Sequence, residues 1–159
     1  MSSTNRTVRD QITPEGKARV EAELRHLKEV RRPEVIEAIK RAREFGDLSE
    51  NTEYHAAREE QALVEGRIQQ LEARLRNVRV VINDDKQTVG VGALVSYRER
   101  KSRKLAEVRI VNSLEANPAE QKISAESPVG RALVGLRRGD VARVETPKGI
   151  RELEVLEIS

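Results

Sequence analysis

Apolar side chains recur at helical spacing through the first half of the chain. From 54 to 78 the spacing alternates between three and four residues, as in a coiled-coil seam, and the seam residues are Tyr54, Ala57, Gln61, Val64, Ile68, Leu71, Leu75 and Val78. A shorter seam precedes it, at Val20, Leu24, Leu27, Val35, Ile39 and Ala42. Thr13 and Pro14 predict its helix start, and Pro33 predicts a kink or a restart. Two narrow seams joined by a turn predict an antiparallel helical hairpin.

The second half of the chain has a different period. After a polar stretch at 83–87, apolar residues recur at spacing two, which is typical of β-strands. Strands are expected around 93–97, 108–110, 121–124, 141–146 and 150–158. Ser127 followed by Pro128 predicts a short helix that reaches Leu136.

These two patterns predict an α+β protein of two domains. Residues 1–82 are expected to form the N-terminal antiparallel coiled-coil hairpin, with a functional tip near 45–54. Residues 83–159 are expected to form a compact C-terminal β-sheet domain with a short helix. The tip lies where the hairpin reverses, at the end remote from the second domain.

The composition excludes several function classes. The 159 residues include 30 Lys or Arg and 27 Asp or Glu, and this near balance, a net charge of +3, argues against a simple electrostatic DNA binder. The chain has no cysteine, which excludes disulfides, zinc thiolate sites and cysteine nucleophiles. No stretch approaches the roughly 18 apolar residues of a membrane span, so we expect a cytoplasmic protein without membrane contact.

Two carboxylates, Asp47 and Glu50, lie three positions apart at the predicted reversal. In the first turn of a helix this spacing places both on one face, where both could reach a divalent cation. The same spacing is also that of a capping box, in which an Asp caps an ordinary helix and a Glu follows three residues later. Because magnesium prefers six oxygen ligands, a metal at this turn would need further ligands from a partner.

Basic side chains flank the reversal on both arms. Lys40, Arg41 and Arg43 precede it and Arg58 follows it, and these cations could contact the phosphates of a nucleic acid. The alternative is a solvated helix face with intrahelical ion pairs, such as Glu37 with Arg41.

At these residues the sequence resembles the Gre family of bacterial transcript cleavage factors, in its GreA branch. The run from Arg41 to Gln61 is similar to the tip motif of that family, with Gly-Asp-Leu-Ser-Glu-Asn at 46–51. Further similar segments are 13–16, 30–34, 65–68 and 123–135. The resemblance covers nearly the whole chain after residue 11.

The resemblance implies a fold and a partner. It implies an FKBP-like fold for the C-terminal domain and bacterial RNA polymerase as the partner. In the family the globular domain docks at the rim of the polymerase secondary channel, on the largest subunit, and Ser127 and Pro128 resemble the docking segment. The coiled coil enters the channel and stimulates cleavage of the backtracked RNA 3′ end by the polymerase itself, so this chain is expected to be a factor and not an enzyme.

The resemblance also implies roles for the tip residues. Asp47 and Glu50 would hold a catalytic Mg²⁺ ion jointly with the polymerase, and the chain alone would bind none stably. Arg43 and Arg58 would contact the extruded RNA. Ser127 retains its other interpretation, as an ordinary helix start.

Three other functions remain as alternatives. A Gre-like inhibitor would occupy the same channel without promoting cleavage. A prolyl isomerase is suggested only by the FKBP-like fold, and fold alone does not establish function. Because Tyr97 is the only aromatic residue after Tyr54, an aromatic proline pocket would be hard to build. A structural coiled-coil adaptor would dimerise through the seam, whereas we expect a monomer.

The segment 97–104 is more basic than is usual in the family, which suggests either an inert loop or an added contact to polymerase or nucleic acid.

Overall fold

The computed structural model describes residues 8–159 and divides them into two compact units. One unit, here the helical unit, comprises residues 19–77. The other, here the sheet unit, comprises residues 78–159 together with the described residues up to Ala18. The sequence placed its single boundary between residues 82 and 83, whereas the structure groups residues 8–18 and 78–82 with the sheet.

The helical unit has two arms, of which the first combines three helical segments and the second is one long helix. Helix α1 (Pro14–His26), which begins in the sheet unit, runs through a π-helical segment (Leu27–Arg31) into α2 (Arg32–Arg43). Helix α3 (Thr52–Asn77) returns against α2. At about 1.5 Å per residue, the 26 residues of α3 extend for roughly 39 Å. The predicted antiparallel hairpin is therefore confirmed.

The hairpin is held by the apolar seam that the sequence predicted. Its buried cluster comprises Val35, Ile39, Val64 and Ile68, against which Leu24, Leu27, Tyr54 and Ala57 pack. Full burial of a Val or Ile side chain contributes about 1.5–3 kcal/mol. Because both arms place these residues at spacings of three and four, burial fixes which helix faces meet.

Pro33 restarts the helix as predicted, and the structure shows how. Pro33 has no N–H with which to continue an α-helical hydrogen-bond ladder. The turn before it widens to a π-helix, in which the Arg32 N–H donates to the carbonyl of Leu27, five residues back. Helix α2 then starts with the proline in its first turn, where the missing donor is tolerated.

Ion pairs between the arms set their register. The Arg32 guanidinium donates two hydrogen bonds to the Glu65 carboxylate, at 2.7 and 3.0 Å, and thereby lowers the pKa of Glu65. Arg67 forms a similar pair with Glu23, with a 2.8 Å bond from its Nε. These side chains are more than a third exposed, and such pairs contribute at most about 1 kcal/mol. They select one alignment of the arms and add little to the stability of the hairpin.

Five strands build the sheet of the sheet unit, in the order β5-β4-β3-β7-β6. Their bounds are β3 Leu94–Glu99, β4 Leu105–Val111, β5 Lys122–Ser124, β6 Val141–Thr146 and β7 Gly149–Ile158. Strand β5 pairs parallel to β4 and the other pairs are antiparallel. Helix α4 (Pro128–Leu133) adds a buried leucine, Leu133, to the core. The predicted α+β class and the C-terminal sheet with its short helix are confirmed.

Helix α4 is shorter than the sequence predicted. It was expected to reach Leu136, but it ends at Leu133. Val134 is extended, with φ −58° and ψ 131°, and Gly135 takes a φ of +88° that suits glycine. The Gly135 N–H then donates to the carbonyl of Val89 at 2.8 Å, so tertiary bonding replaces the last helical turn.

A short parallel strand pair within the sheet unit holds residues 11–12 against residues 79–80. Strand β1 (Gln11–Ile12) pairs with β2 (Arg79–Val80), and the side chain of Ile12 is fully buried. Thr13 caps α1 as predicted, because its Oγ1 accepts from the Gly16 N–H at 3.0 Å. The same hydroxyl donates to the buried carboxylate of Glu115 at 3.0 Å.

Within residues 8–159, no helix has both the length and the apolar character needed to cross a bilayer.

Candidate functional site

The candidate site is the connection between α2 and α3, residues 44–51. The N–H groups of Glu44 and Phe45 donate to the carbonyls of Arg41 and Ala42, both at 3.2 Å, and finish α2. Gly46 then takes a φ of +105°, a conformation that other residues rarely adopt. No atom lies within 4 Å of the position that a Cβ would occupy there, so the backbone angle and not crowding requires this glycine.

Ser49 holds the side chain of Asp47 in place at the surface. Its Oδ1 accepts hydrogen bonds from the N–H of Ser49 at 3.0 Å and from the Ser49 hydroxyl at 2.8 Å. Both bonds favour the charged carboxylate, so they lower the pKa of Asp47. At neutral pH this position presents a fixed negative charge with further oxygen lone pairs open to solvent.

The capping-box interpretation of Asp47 is wrong, because a different residue caps α3. The Asn51 side-chain oxygen accepts from the N–H of Tyr54 at 3.0 Å, and the Asn51 carbonyl accepts from the N–H of His55 at 3.1 Å. These are the two bonds of an N-cap residue. Asp47 and Glu50 therefore lie in the turn before the helix, and α3 does not need either carboxylate to start.

Asn51 also joins the two arms of the hairpin. Its Nδ2 donates to the carbonyl of Ala42 at 2.7 Å, one residue before the end of α2. A single side chain thus satisfies a donor at the start of α3 and an acceptor at the end of α2. This role of Asn51 was not predicted from the sequence, although asparagine at the position before a helix is among the preferred caps.

The two predicted carboxylates line one surface depression. It measures about 430 Å³ and is lined by Phe45, Asp47, Glu50, Asn51, Thr52 and Glu53. Carboxylate oxygens are the donors that Mg²⁺ prefers, so the donor set fits this ion. In the described part of the chain, however, no three His, Cys, Asp or Glu side chains are grouped as a metal site. The depression can supply part of a coordination shell and would need other ligands to complete it.

The predicted cations lie beside this turn. Arg43 is the last residue of α2, and Arg58 lies in the second turn of α3, where its Nη1 donates to Gln61 at 2.9 Å. Both are exposed, and neither forms an ion pair with the residues that the structure describes. The intrahelical pair of Glu37 with Arg41 is likewise absent from residues 8–159. The positive charges next to the tip remain available to an anion.

Ser127 and Pro128 lie in the sheet unit, at the start of α4. The Ser127 hydroxyl accepts from the Gly130 N–H at 3.1 Å and donates to the Ser124 carbonyl at 2.7 Å, so the helix-start interpretation is confirmed. The two residues also line a depression of about 450 Å³ that is almost wholly apolar, with Ile123, Val129, Val144 and Pro147 among its other lining residues. An exposed apolar depression of this kind is typical of a protein-binding surface.

Comparison with known proteins matches nearly the whole of this sequence. The family described as "Transcription elongation factor, N-terminal" matches residues 10–80, and "Transcription elongation factor, GreA/GreB, C-term" matches residues 84–159. Transcription elongation factor GreA of Thermoanaerobacter pseudethanolicus is 49% identical over 92% of this chain and 95% of the relative. GreA of Clostridium novyi is also 49% identical, over 92% and 94%. A crystal structure of GreA factor homolog 1 from Thermus thermophilus is 32% identical over 94% and 97%, with a TM-score of 0.43. The chain belongs to the Gre family of transcription elongation factors, in its GreA branch.

Proposed function

We propose that this chain inserts its helical hairpin into the secondary channel of bacterial RNA polymerase and stimulates the polymerase to cleave backtracked RNA. The cutting centre belongs to the polymerase, and the chain contributes side chains to it. One observation carries the proposal. Asp47 and Glu50 line the same exposed depression at the hairpin turn, and neither is the N-cap of α3, because Asn51 has that role. The identity to relatives named GreA supports it.

The tip carboxylates would hold a Mg²⁺ ion together with the polymerase. Two carboxylates on a solvated turn leave most of an octahedral shell unfilled. In the polymerase, its own carboxylates, the RNA phosphate and water would complete that shell. Such an ion would supply the activated water and the charge stabilisation of a two-metal cleavage. Asp47, whose lowered pKa keeps it ionised, would need no deprotonation to serve as a ligand.

The flanking cations would position the RNA. Arg43 and Arg58 are exposed beside the tip, and both carry positive charge that no acidic partner neutralises within residues 8–159. Guanidinium groups bind phosphate oxygens without reading bases. This property suits an RNA 3′ end whose sequence differs at every site of arrest.

The sheet unit would dock on the polymerase through the depression beside α4. Ser127 is occupied by its helix-capping bonds, so its contribution would be to hold Pro128 and the apolar rim in place. We place the contact on the largest subunit at the channel rim. Apolar walls with few polar groups favour a protein partner there over a nucleic acid.

The test is RNA cleavage by a backtracked polymerase complex with Mg²⁺. The unaltered chain is compared with the double variant Asp47→Asn and Glu50→Gln, which keeps side-chain size, and with Glu53→Gln, which neutralises another carboxylate of the same depression. We expect the double variant to bind polymerase and fold normally by circular dichroism, yet to lose stimulation, while Glu53→Gln retains it.

Two results would overturn the proposal. If Glu53→Gln loses as much stimulation as the double variant, general negative charge and not a specific ligand pair acts at the tip. If the unaltered chain binds polymerase and slows elongation without accelerating cleavage, the chain is a secondary-channel inhibitor.

A further inference from the structure

The turn between β3 and β4 concentrates positive charge that the proposed function leaves without a role. Five of the seven residues from 98 to 104, here called the basic turn, are Lys or Arg, and only Glu99 is acidic. The side chains of residues 100–104 are all exposed. The near balance of charge over the whole chain therefore hides a strong local excess.

The basic turn has a defined conformation. The Glu99 N–H donates to the Lys104 carbonyl at 2.9 Å, and the Arg103 N–H donates back to the Glu99 carbonyl at 2.8 Å. The Arg100 N–H donates to the carbonyl of Glu152 on the adjacent strand β7 at 2.9 Å. Arg103 takes a φ of +61°, which glycine or asparagine adopts more easily. The turn thus holds a cation where glycine or asparagine would suit the backbone better.

Ion pairs neutralise the base of the turn but not its end. Arg100 pairs with Glu152 at 3.1 Å, and Glu99 pairs with Arg151 at 3.2 Å. The acidic groups of both pairs lie on β3 and β7, near the ends of these strands that adjoin the basic turn. Lys101, Arg103 and Lys104 form no ion pair with any residue that the structure describes.

A second turn adds to this surface. Because β7 pairs with β3 and β6, the β6–β7 turn with Lys148 lies at the same end of the sheet as the basic turn. Lys101 lines two depressions there. One, of about 320 Å³, also includes Arg100 and Arg143, and the other, of about 460 Å³, includes Lys148. Cations of both hairpins therefore lie at the same end of the sheet.

We propose that this end of the sheet binds the phosphate backbone of duplex DNA, without sequence preference, through Lys101, Arg103 and Lys104. This inference goes beyond the role proposed for the hairpin tip and does not depend on it. Clustered cations that release counterions from DNA supply sequence-independent affinity that falls steeply with salt. Rigid turns, which lose little entropy on binding, suit such a contact.

The chemistry of the surface favours duplex DNA over other polyanions. Single-stranded nucleic acid is bound largely by stacking of bases on aromatic rings, and the only aromatic residue of the second half of the chain, Tyr97, is 8% exposed. Protein interfaces are depleted in lysine and built on apolar anchors. Leu105 and Ile150 are exposed here, but they lie on β4 and β7, which β3 separates, so they form no continuous apolar patch.

The test measures binding of the free chain to a fluorescent DNA duplex by anisotropy over a series of salt concentrations. The turn variant carries Lys101→Ser, Arg103→Asn and Lys104→Ser, in which asparagine tolerates the positive φ. The matched control carries Lys86→Ser, Arg137→Ser and Arg138→Ser, three exposed cations elsewhere in the sheet unit. Both variants lower the formal net charge from +3 to 0.

We expect the turn variant to bind the duplex at least tenfold more weakly, and the slope of log affinity against log salt to fall by about 2.7, at about 0.9 per lost phosphate contact. The control should bind within twofold of the unaltered chain. RNA cleavage by backtracked polymerase, measured in parallel, should persist in the turn variant. Failure of DNA binding and failure of the proposed tip function are therefore separate results.

Several results would overturn the inference. The inference fails if the unaltered chain does not bind duplex at low salt. It also fails if both variants lose affinity equally, which would mean that net charge alone acts. Tighter binding of single-stranded RNA or of polyglutamate than of duplex, lost in the turn variant, would assign the surface to RNA or to an acidic protein instead.

Discussion

Replacing Asn51 by alanine tests whether one side chain holds the hairpin turn together. The substitution removes the cap bond to the Tyr54 N–H, at 3.0 Å, and the bond to the Ala42 carbonyl, at 2.7 Å. Loss of an asparagine cap costs about 1 kcal/mol. A half-buried hydrogen bond contributes about another 1 kcal/mol. We therefore expect Asn51→Ala to lower the free energy of unfolding by about 2 kcal/mol.

Asn51→Asp separates the two bonds. Aspartate keeps an oxygen that accepts from the Tyr54 N–H, but it cannot donate to the Ala42 carbonyl. Its charge at a helix N-terminus adds a few tenths of a kcal/mol of stability. We expect its unfolding free energy to lie between those of the unaltered chain and Asn51→Ala. Urea unfolding followed by far-ultraviolet circular dichroism, which reports mainly on the long helices, measures the series.

Three outcomes would each contradict part of this account of the turn. If the free energy of unfolding of Asn51→Ala lies within about 0.5 kcal/mol of that of the unaltered chain, the two bonds contribute no more than bonds to water would. If Asn51→Asp and Asn51→Ala are equally destabilised, the cap contributes nothing. If stability falls as expected but stimulation of RNA cleavage is unchanged at a temperature where both proteins are folded, Asn51 stabilises the hairpin without positioning the tip carboxylates.

Three further outcomes are expected. Gly130→Ala should lower the melting temperature, because the new Cβ would lie 2.0 Å from the Ser124 carbonyl oxygen and such overpacking costs about 1–3 kcal/mol. Gly66→Ala, within α3 and with no atom near its Cβ position, should raise stability by about 0.5–1 kcal/mol in the same thermal unfolding assay. Ser49→Ala should raise the pKa of Asp47 towards its ordinary 3.8 in an NMR titration. Because that pKa is lowered on folding, the Asp47 contribution to stability is present above pH 3.8 and is lost as pH falls through the lowered value. An unchanged Asp47 pKa in the Ser49→Ala variant would contradict the Ser49 bonds.

The helical hairpin and its apolar seam could be predicted from the local sequence pattern. Val64, Ile68 and Leu71 repeat at spacings of four and three, and all three are buried. The pattern works because one apolar face of a helix can be covered only by another. Pro33 predicts a break on steric grounds alone, whereas the π-helical form of that break was not predicted from the sequence.

The features that the sequence did not predict depend on distant contacts or on competing local choices. Asp47, Glu50 and Asn51 all lie close enough to a helix start to act as cap residues, and spacing alone did not rank them. Strands β1 and β2 are two residues each, too short to show a period of two. The buried carboxylate of Glu115 meets Thr13 across 102 residues of chain, and no local pattern indicates that contact.

The geometry of the tip suits the proposed role, in which the chain would supply part of a metal site that the polymerase completes. Asn51 bonds both arms and Ser49 fixes Asp47, so the turn is ordered before any partner arrives. The described ligand set nevertheless stops short of a closed metal site. A preordered pair of oxygens loses little entropy when another protein adds the remaining ligands. In the proposed mechanism, an open coordination shell would also keep the free chain from trapping the ion away from the polymerase, and cleavage would occur only where the two half-sites meet.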